Sequence, residues 1–409
     1  MKEEETNEYA IRWFSDVKAS ELPQLGIKGQ RLGLLYQQRF PVPAGCIITS
    51  KAHRAFLHHA QLDTPLDTLL KKSASLSDSE LKEKSAHLQE ALLQASFPSG
   101  FEDALQESCD LLNANPKQLT SASASALLIP KHSYELPFLA VRSSPISTSS
   151  TLPSFLNVKG MPAVLSAIKQ CYASLLTPEA LHNHAAHSQG ELPLLAIILQ
   201  TMIDAEISGI ITSPSALPAT SYTIRATWGL GELLQNKEHT PDQYELCKER
   251  DIFTVHSVMP GEKKQALTRD SAGKNILVAL SEKRSKQQLF NSAELYALAR
   301  LADAVNQRFQ EPHQLAFSML VGECSLITCL PSPAPHAPPP LPPAPESLSE
   351  IFGDVAAPAQ PSEASQQPRA SDDIENIILR ELDETEKTIE DFEKPQSPLS
   401  NRFETSGIC

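Results

Sequence analysis

The stretch Ala140-Val141-Arg142-Ser143-Ser144 decides how the rest of the chain is interpreted. Leu139 to Val141 is a short apolar run, which predicts a β-strand. This strand leads to one arginine and two small hydroxyl residues before a turn at Pro145. Because a planar guanidinium group matches the geometry of phosphate oxygens, Arg142 is a candidate phosphate ligand. The alternative is a surface or ion-paired arginine, which is the commoner case.

A second informative stretch is Ile224-Arg225-Ala226-Thr227-Trp228-Gly229-Leu230-Gly231-Glu232. Its β-branched and apolar start predicts a strand, and its glycines permit a tight bend beside a ligand. Pro241-Asp242-Gln243-Tyr244 follows a short distance later. The stretch from Leu194 to Ile203 is continuously apolar apart from its end and predicts a buried strand.

Lys28 lies between glycines in Leu25-Gly26-Ile27-Lys28-Gly29. Glycine lets a backbone approach a ligand closely, and lysine supplies a point charge for phosphate. The spacing of a P-loop is absent from this stretch. The alternative is a solvent-exposed lysine with no ligand. Phe40 to Thr49 then predicts a proline-containing turn followed by a strand.

Taken in this order, the motifs resemble the N-terminal nucleotide-binding domain of phosphoenolpyruvate synthase and pyruvate phosphate dikinase. Ala-Val-Arg-Ser-Ser is followed by Leu156-Asn157-Val158, and Trp-Gly-Leu-Gly-Glu is followed by Pro-Asp-x-Tyr, as in that family. The similarity extends from about Tyr9 to Pro331. The resemblance implies an α/β (α+β) fold, namely a two-lobed ATP-grasp-type nucleotide-binding domain with ATP as its ligand.

The resemblance also implies roles for individual residues. Lys28 and Arg142 would contact the ATP phosphates. The adenine and ribose region would contain Gln200, Met202, Ile203 and Glu232. The supporting loop of the site would contain Trp228, Gly229 and Gly231.

The positions at which the family binds its divalent cation carry other residues in this chain. The family's aspartate and glutamate are replaced by Gln314 and Ala316, and its Gln-x-Arg-Pro strand reads Thr328-Cys329-Leu330-Pro331. Phosphoryl transfer needs a divalent cation held by hard oxygen ligands. We therefore expect ATP binding with weak or lost phosphoryl transfer. We predict no magnesium site and assign no catalytic residue.

Composition excludes several classes of function. The net charge is −14, and residues 332–409, with 15 acidic against 5 basic residues, account for −10 of it. This acidity argues against nonspecific binding to nucleic acid. The acidic start of the chain resembles no secretion signal, and no apolar run of about 18 residues predicts a membrane span. We expect a cytoplasmic protein.

Cysteines and histidines give no metal motif. The seven cysteines are odd in number and lack paired spacing, which fits a reducing compartment. Cys324 and Cys329 are five residues apart in a predicted strand, so we expect them on opposite faces. His182, His184 and His187 are either a metal site or a polar helix end, and the spacing favours the polar helix end, because only two of them share a face.

The pattern predicts five segments. Two lobes of the nucleotide-binding domain span 1–190 and 191–331, a Pro/Ala/Ser-rich linker spans 332–371, and an acidic amphipathic helix at 372–394 precedes a tail at 395–409. Nine prolines lie between Pro331 and Pro345, which is typical of an extended spacer. The apolar stripe of the helix contains Ile374, Ile378, Leu382, Thr385, Ile389 and Phe392.

Three functions remain open at this stage. The first is a nucleotide-binding protein with weak or no phosphoryl transfer. The second is an active ATP-dependent phosphotransferase subunit whose phosphohistidine domain lies on another chain. The third is a non-catalytic scaffold that binds a protein partner, or itself, through the 372–394 helix.

Overall fold

The computed structural model describes residues 11–113, 138–146, 152–187, 192–213, 220–270 and 273–332. The chain divides into two compact units, Met1–His336 and Ala337–Cys409, and all described residues belong to the first. The predicted linker beyond residue 332, the helix predicted at 372–394 and the tail predicted at 395–409 lie outside the described residues. Within these ranges, no helix combines the length and the apolar content that a membrane span requires.

The described residues form a mixture of helices and strands, which confirms the predicted α/β fold. The strands are β1 Ile11–Trp13, β2 Gly45–Ile48, β3 Leu139–Pro145, β4 Ser154–Val158, β5 Leu195–Thr201, β6 Ile207–Thr212, β7 Ser221–Trp228, β8 Asp242–Glu249, β9 Ile252–Met259, β10 Gln265–Arg269, β11 Asn275–Ala279, β12 His313–Leu320 and β13 Glu323–Pro331. The helices are α1 Gly26–Gln37, α2 Ser50–His59, α3 Asp63–Lys72, α4 Asp78–Gln94, α5 Phe101–Asn113, α6 Met161–Ser174, α7 Pro178–His187, α8 Glu282–Lys286 and α9 Ser292–Phe309.

The first sheet has the order β1-β2-β5-β3-β4. β5 is its central strand and pairs antiparallel with both β2 and β3. The lobe boundary predicted between residues 190 and 191 precedes β5, whereas the hydrogen bonds of β5 place it in the first sheet. The helices α2 to α6 bury their apolar side chains against this sheet. Ser77 and Glu80 form a capping box at the start of α4.

The second sheet has the order β13-β12-β6-β7-β8-β9. The residues of α9 pack with one face of this sheet in a single apolar core, which includes Ile211, Ile224 and Leu315. The helix α9 begins at Ser292, and the side chain of Asn291 caps it by accepting from the Glu294 amide. The alternate residues of the strands point to the opposite face, which is called the open face below.

β13 contains an irregularity that changes one prediction. The pairing of β12 with β13 shifts between Ala316 and Phe317, so that Ile327 is an extra residue in the ladder. Cys324 then pairs with Met319 and Cys329 pairs with Leu315, both of which are core residues. The two cysteines therefore share one face, and the predicted opposite orientation is wrong because a bulge inverts the alternation.

α1 connects the two lobes through its side chains. The glycine-rich stretch around Lys28 forms the start of this helix rather than an open loop. Ser144 at the end of β3 fixes the helix, since its hydroxyl donates to the Leu25 carbonyl (2.8 Å) and accepts from the Gly29 amide (3.0 Å). Arg31 on the same helix donates to Glu311, beside β12 in the second lobe.

A buried ion pair holds the edge of the second lobe together. Asp242 and Lys263 are both completely buried, and the Lys263 ammonium donates to the Asp242 carboxylate. The same carboxylate accepts from the Gly261 amide (2.7 Å), the Leu289 amide (3.0 Å) and the Tyr244 hydroxyl (2.9 Å). Asp242 thus gathers three chain segments around one charge, so the Pro-Asp-x-Tyr motif has a structural role.

Replacement of Gly26 by alanine tests the contact between α1 and β3. Gly26 has a φ of +63°, and a Cβ atom there would lie 2.3 Å from the Ser144 carbonyl oxygen. Backbone strain and overpacking should together lower the free energy of unfolding by about 2–5 kcal/mol. The control is Gly322→Ala, at a φ of +77° with open space around it, which should cost only about 1–2 kcal/mol of strain. Equal losses in urea unfolding would contradict this packing.

Replacement of Asp242 by asparagine tests the buried ion pair. The change leaves the Lys263 ammonium buried without a counter-charge, so the free energy of unfolding should fall by about 3–5 kcal/mol. Glu262→Gln is the matched control, because Glu262 pairs with Lys264 at 3.3 Å on the surface, and such pairs contribute about 1 kcal/mol or less. Tryptophan fluorescence during urea unfolding measures both variants. A loss below about 1 kcal/mol for Asp242→Asn would show that the pair is not a stabilising element.

Candidate functional site

The two lobes meet at Arg142. The side chain leaves β3 of the first sheet, and its Nη1 donates to the Ile327 carbonyl (3.0 Å) and to the Thr328 hydroxyl (3.0 Å) on β13 of the second sheet. Its Nε atom is buried and has no hydrogen-bond partner. Arg142 therefore lies between the sheets, and its buried Nε donor is unused.

The open face of the second sheet forms the other side of this cleft. Thr328 pairs with Ala316 across β13 and β12, and Ala316 pairs with Ile210 on β6. Directly paired residues share a face, so Ala316 lies on the side of the sheet from which Arg142 contacts Thr328. Gln314, two residues earlier on β12, projects from the same face. The structure thus brings Gln314 and Ala316, the positions expected to correspond to the cation ligands of the family, opposite Arg142.

Lys28 is the second cation of the cleft. It lies in the first turn of α1. Burial lowers the pKa of its ammonium group, and the nearby charge of Arg142 lowers this pKa further. The ammonium group makes no hydrogen bond or ion pair with any other residue that the structure describes. Lys28 is therefore close to Arg142 and free to bind an anion.

Glu232 is the acidic residue whose charge acts on Arg142. It lies in a short 3-10 helix, Gly231–Gln235, and its carboxylate accepts from the Asn275 side-chain amide (3.3 Å). Burial raises the pKa of the Glu232 carboxyl, while the Asn275 hydrogen bond and the charge of Arg142 lower it. Burial also lowers the pKa of Arg142 to about 10, and the charge of Glu232 opposes this shift. The cleft therefore combines two cations with one partly buried carboxylate.

The connection between the sheets contains the predicted adenine region. The sequence predicted that the strand extends to Ile203. β5 ends at Thr201 instead, so Met202 and Ile203 lie beyond the strand. The Met202 amide donates to the Phe138 carbonyl (3.0 Å). Gln200 is 1% exposed, and its side-chain oxygen has no partner. An unpaired acceptor in a buried position is costly unless a ligand or water satisfies it.

The predicted supporting loop is held by close backbone packing. Gly229 has a φ of +74°, and a Cβ atom there would lie 2.2 Å from the Leu267 carbonyl oxygen. Its amide donates to the Glu206 carbonyl (2.7 Å). Gly231 packs against Ser208, and the Trp228 indole donates to the Arg284 carbonyl (3.2 Å). These contacts position Glu232 and involve no atom of the cleft directly.

The β10–β11 hairpin adds a polar network that sequence reasoning missed. Arg269 donates to the Asn157 side chain (3.1 Å), pairs with Asp204 (3.2 Å) and stacks on Phe138 (4.1 Å). Asn157 in turn donates to Asn275 (2.5 Å), the residue that contacts Glu232. The quoted Leu-Asn-Val motif contained the signal, because Asn157 has a φ of +57° that asparagine tolerates better than most residues. The network ties the hairpin to the first lobe beside Glu232.

The residues of the cleft do not fit a divalent cation. Magnesium prefers carboxylate and water oxygens in octahedral geometry, whereas Ala316 offers a methyl group and Gln314 a neutral amide. Among the described residues, no three His, Cys, Asp or Glu side chains come together as a metal site. This statement includes His182 and His184 of α7, whereas the side chain of His187 lies outside the described part of the chain. The donor set of the cleft is suited to an anionic ligand.

Comparison with known proteins gives one family. The family model described as the pyruvate phosphate dikinase AMP/ATP-binding domain matches residues 22–329. A probable phosphoenolpyruvate synthase from Archaeoglobus fulgidus is 26% identical over 327 residues, which cover 78% of this chain and 41% of the relative. A probable phosphoenolpyruvate synthase from Methanothermobacter thermautotrophicus is 24% identical, covering 78% of this chain and 46% of the relative.

The phosphoenolpyruvate synthase of Pyrococcus furiosus is 22% identical over 342 residues, covering 75% of this chain and 41% of the relative. The chain thus spans less than half the length of these three relatives. The matched region contains every residue of the cleft described above. The chain belongs to the pyruvate phosphate dikinase AMP/ATP-binding domain family.

Proposed function

We propose that the cleft between the two sheets is an ATP-grasp-type site that binds ATP or a similar nucleotide, with weak or no phosphoryl transfer. One observation carries the proposal: Lys28 and Arg142 converge on one cleft that has no metal-binding acids at Gln314 and Ala316. Lys28 and Arg142 bind the phosphates, and Glu232 accepts from a ribose hydroxyl. Gln200, Met202 and Ile203 surround the base.

The electrostatics of the cleft support binding more than turnover. Two partly buried cations offset part of the charge of a polyphosphate, and their effect is stronger than in bulk water because their surroundings are less hydrated. A divalent cation that bridges the phosphates would stabilise the charge that develops during transfer, and the loss of such an electrostatic group typically costs orders of magnitude in rate. Because the donor set does not fit that cation, we propose nucleotide binding without efficient catalysis.

Two other functions make different predictions for the same residues. An active phosphotransferase subunit, with its phosphohistidine domain on another chain, requires a metal-dependent site. A scaffold protein that acts through residues 372–394 requires neither Lys28 nor Arg142. The apolar stripe of that segment and its acidic flanks favour a protein partner or a second copy. Nucleotide titration of the full chain separates these functions. We also propose a cytoplasmic location.

Replacement of Lys28 by alanine tests the nucleotide site. Removal of one charged hydrogen-bond donor should weaken ATP binding about 10- to 100-fold, since such bonds contribute about 1.5–3 kcal/mol. Isothermal titration calorimetry of the 409-residue chain measures the affinity with magnesium and with EDTA. Lys82→Ala, on the exposed side of α4, is the control and should bind as the unmodified protein does.

The outcomes of this titration are distinct. Binding that is lost in Lys28→Ala and equal in magnesium and EDTA supports a magnesium-independent nucleotide site. Binding that requires magnesium supports the phosphotransferase alternative. The absence of heat at millimolar ATP contradicts both and leaves the scaffold function.

The paired substitution Gln314→Asp and Ala316→Glu tests the reason for magnesium independence. It places two carboxylates on neighbouring positions of the open face of β12, opposite Arg142. ATP affinity should then fall in EDTA, because the new acids repel phosphate, and rise at least about tenfold when magnesium is added. Calorimetry in the two buffers measures the difference. The matched control is Gln314→Asn with Ala316→Gln, which places uncharged amides at both positions and should bind ATP equally with and without magnesium. Equal ATP affinities of the acidic pair in the two buffers would refute the assignment of these positions.

A further inference from the structure

A third cation lies on the open face of the second sheet. Arg225 on β7 pairs with Ile210 on β6, which in turn pairs with Ala316 on β12. Paired residues share a face, so Thr328, Ala316, Ile210 and Arg225 form one row across four strands. At a strand spacing of about 4.8 Å, the Cα atom of Arg225 is about 10 Å from that of Ala316.

Arg225 has no partner that explains its position. Its side chain is exposed, and its guanidinium makes no hydrogen bond or ion pair with any other residue in the described ranges. On the same face, the acid nearest in register is Glu245, which lies on the neighbouring strand β8, two residues from the position that pairs with Arg225. Its carboxylate accepts a hydrogen bond from the Gln243 side chain (3.4 Å) rather than from Arg225. A guanidinium presents five donors in a planar group that matches carboxylate and phosphate oxygens, so an arginine without an acidic partner on this face is a candidate anion ligand.

The path from Arg225 to the phosphate region carries no competing charge. Only Ile210 lies between Arg225 and Ala316 in the row, and Ala316 presents a methyl group. An extended arginine side chain reaches over isoleucine toward the space beside Ala316. A glutamate at that position would pair with Arg225 and neutralise it.

The neighbouring His239 does not supply positive charge to this part of the open face. His239 shares a hydrogen bond with the Thr227 hydroxyl (2.7 Å), on the same open face. Burial lowers the pKa of His239, and the charges of Lys263 and Arg225 lower it further. Since its ordinary pKa is about 6.5, His239 is neutral at pH 7, and Arg225 is the cation in this part of the face.

We propose that Arg225 binds the terminal phosphates of a nucleoside triphosphate, together with Lys28 and Arg142. The proposal rests on the nucleotide function proposed above and extends it to a specificity for triphosphate over monophosphate. A guanidinium donates to phosphate oxygens in a bidentate manner and offsets their charge without the oxygen ligands that a metal requires. Arg225 thereby offsets the negative charge of the phosphates, as a bound divalent cation would, and does not take part in bond cleavage.

Replacement of Arg225 by glutamine tests this assignment. Calorimetry of the full chain in EDTA compares ATP with AMP, so that no metal contributes to either affinity. Arg225→Gln should weaken ATP binding about 10- to 100-fold, because a charge-assisted pair is lost, and should change AMP binding less than about twofold. Arg225→Lys keeps the charge without the planar fork and should recover part of the ATP affinity.

The control and the outcomes separate this inference from the proposed function. Arg300→Gln removes an exposed charge from α9, on the helix that packs with the opposite face, and should bind both nucleotides as the unmodified protein does. If the unmodified protein binds ATP and Arg225→Gln binds it equally well, the inference is wrong and the nucleotide function stands. An equal loss of ATP and AMP in Arg225→Gln, with an unchanged melting temperature, also overturns the specificity. If the unmodified protein binds neither nucleotide, the proposed function itself fails.

Discussion

The contact of Arg142 with β13 is the interaction on which the geometry of the cleft depends. A guanidinium taken out of water must find partners, because an unpaired buried charge is strongly destabilising. Arg142 finds the Ile327 carbonyl and the Thr328 hydroxyl on the other sheet, and the charge of Glu232 lies nearby. Two residues later on the same strand, Ser144 fixes the start of α1. One strand therefore sets the distance between the lobes and the position of Lys28.

The balance of charge in this cleft follows from the residues at the two altered positions. Carboxylates at Gln314 and Ala316 would face Arg142 and satisfy it within the protein, and they would need a metal before a phosphate could approach. With an amide and a methyl group there, the cations Lys28 and Arg142 keep their capacity for an anion. Under the proposed function, the same two residues offer no carboxylate to the cation that phosphoryl transfer uses. Stronger unaided anion binding and weaker catalysis would then be two consequences of one difference.

Sequence reasoning was most successful where the signal is local. The strand at Arg142, the buried strand that begins near Leu194 and the strand that precedes Gly229 each follow from neighbouring residues. It was unsuccessful where the answer depends on distant pairing. The bulge at Ile327, which places Cys324 and Cys329 on one face, arises from the register between two strands and leaves no local pattern. The site residues themselves came from the family resemblance rather than from periodicity.

The motifs that identify the family mostly describe its scaffold. Asp242 of the Pro-Asp-x-Tyr motif forms a buried ion pair with Lys263. Glycine is required at position 229 because a Cβ atom there would lie 2.2 Å from the Leu267 carbonyl oxygen. Residues of this kind are constrained by packing whether or not the cleft performs chemistry. A match across residues 22–329 therefore establishes the family, whereas turnover would depend on the few side chains that face the phosphates in the proposed function. Of those, Lys28 and Arg142 are cationic and Gln314 and Ala316 are neutral, and for that reason binding and catalysis have to be considered separately.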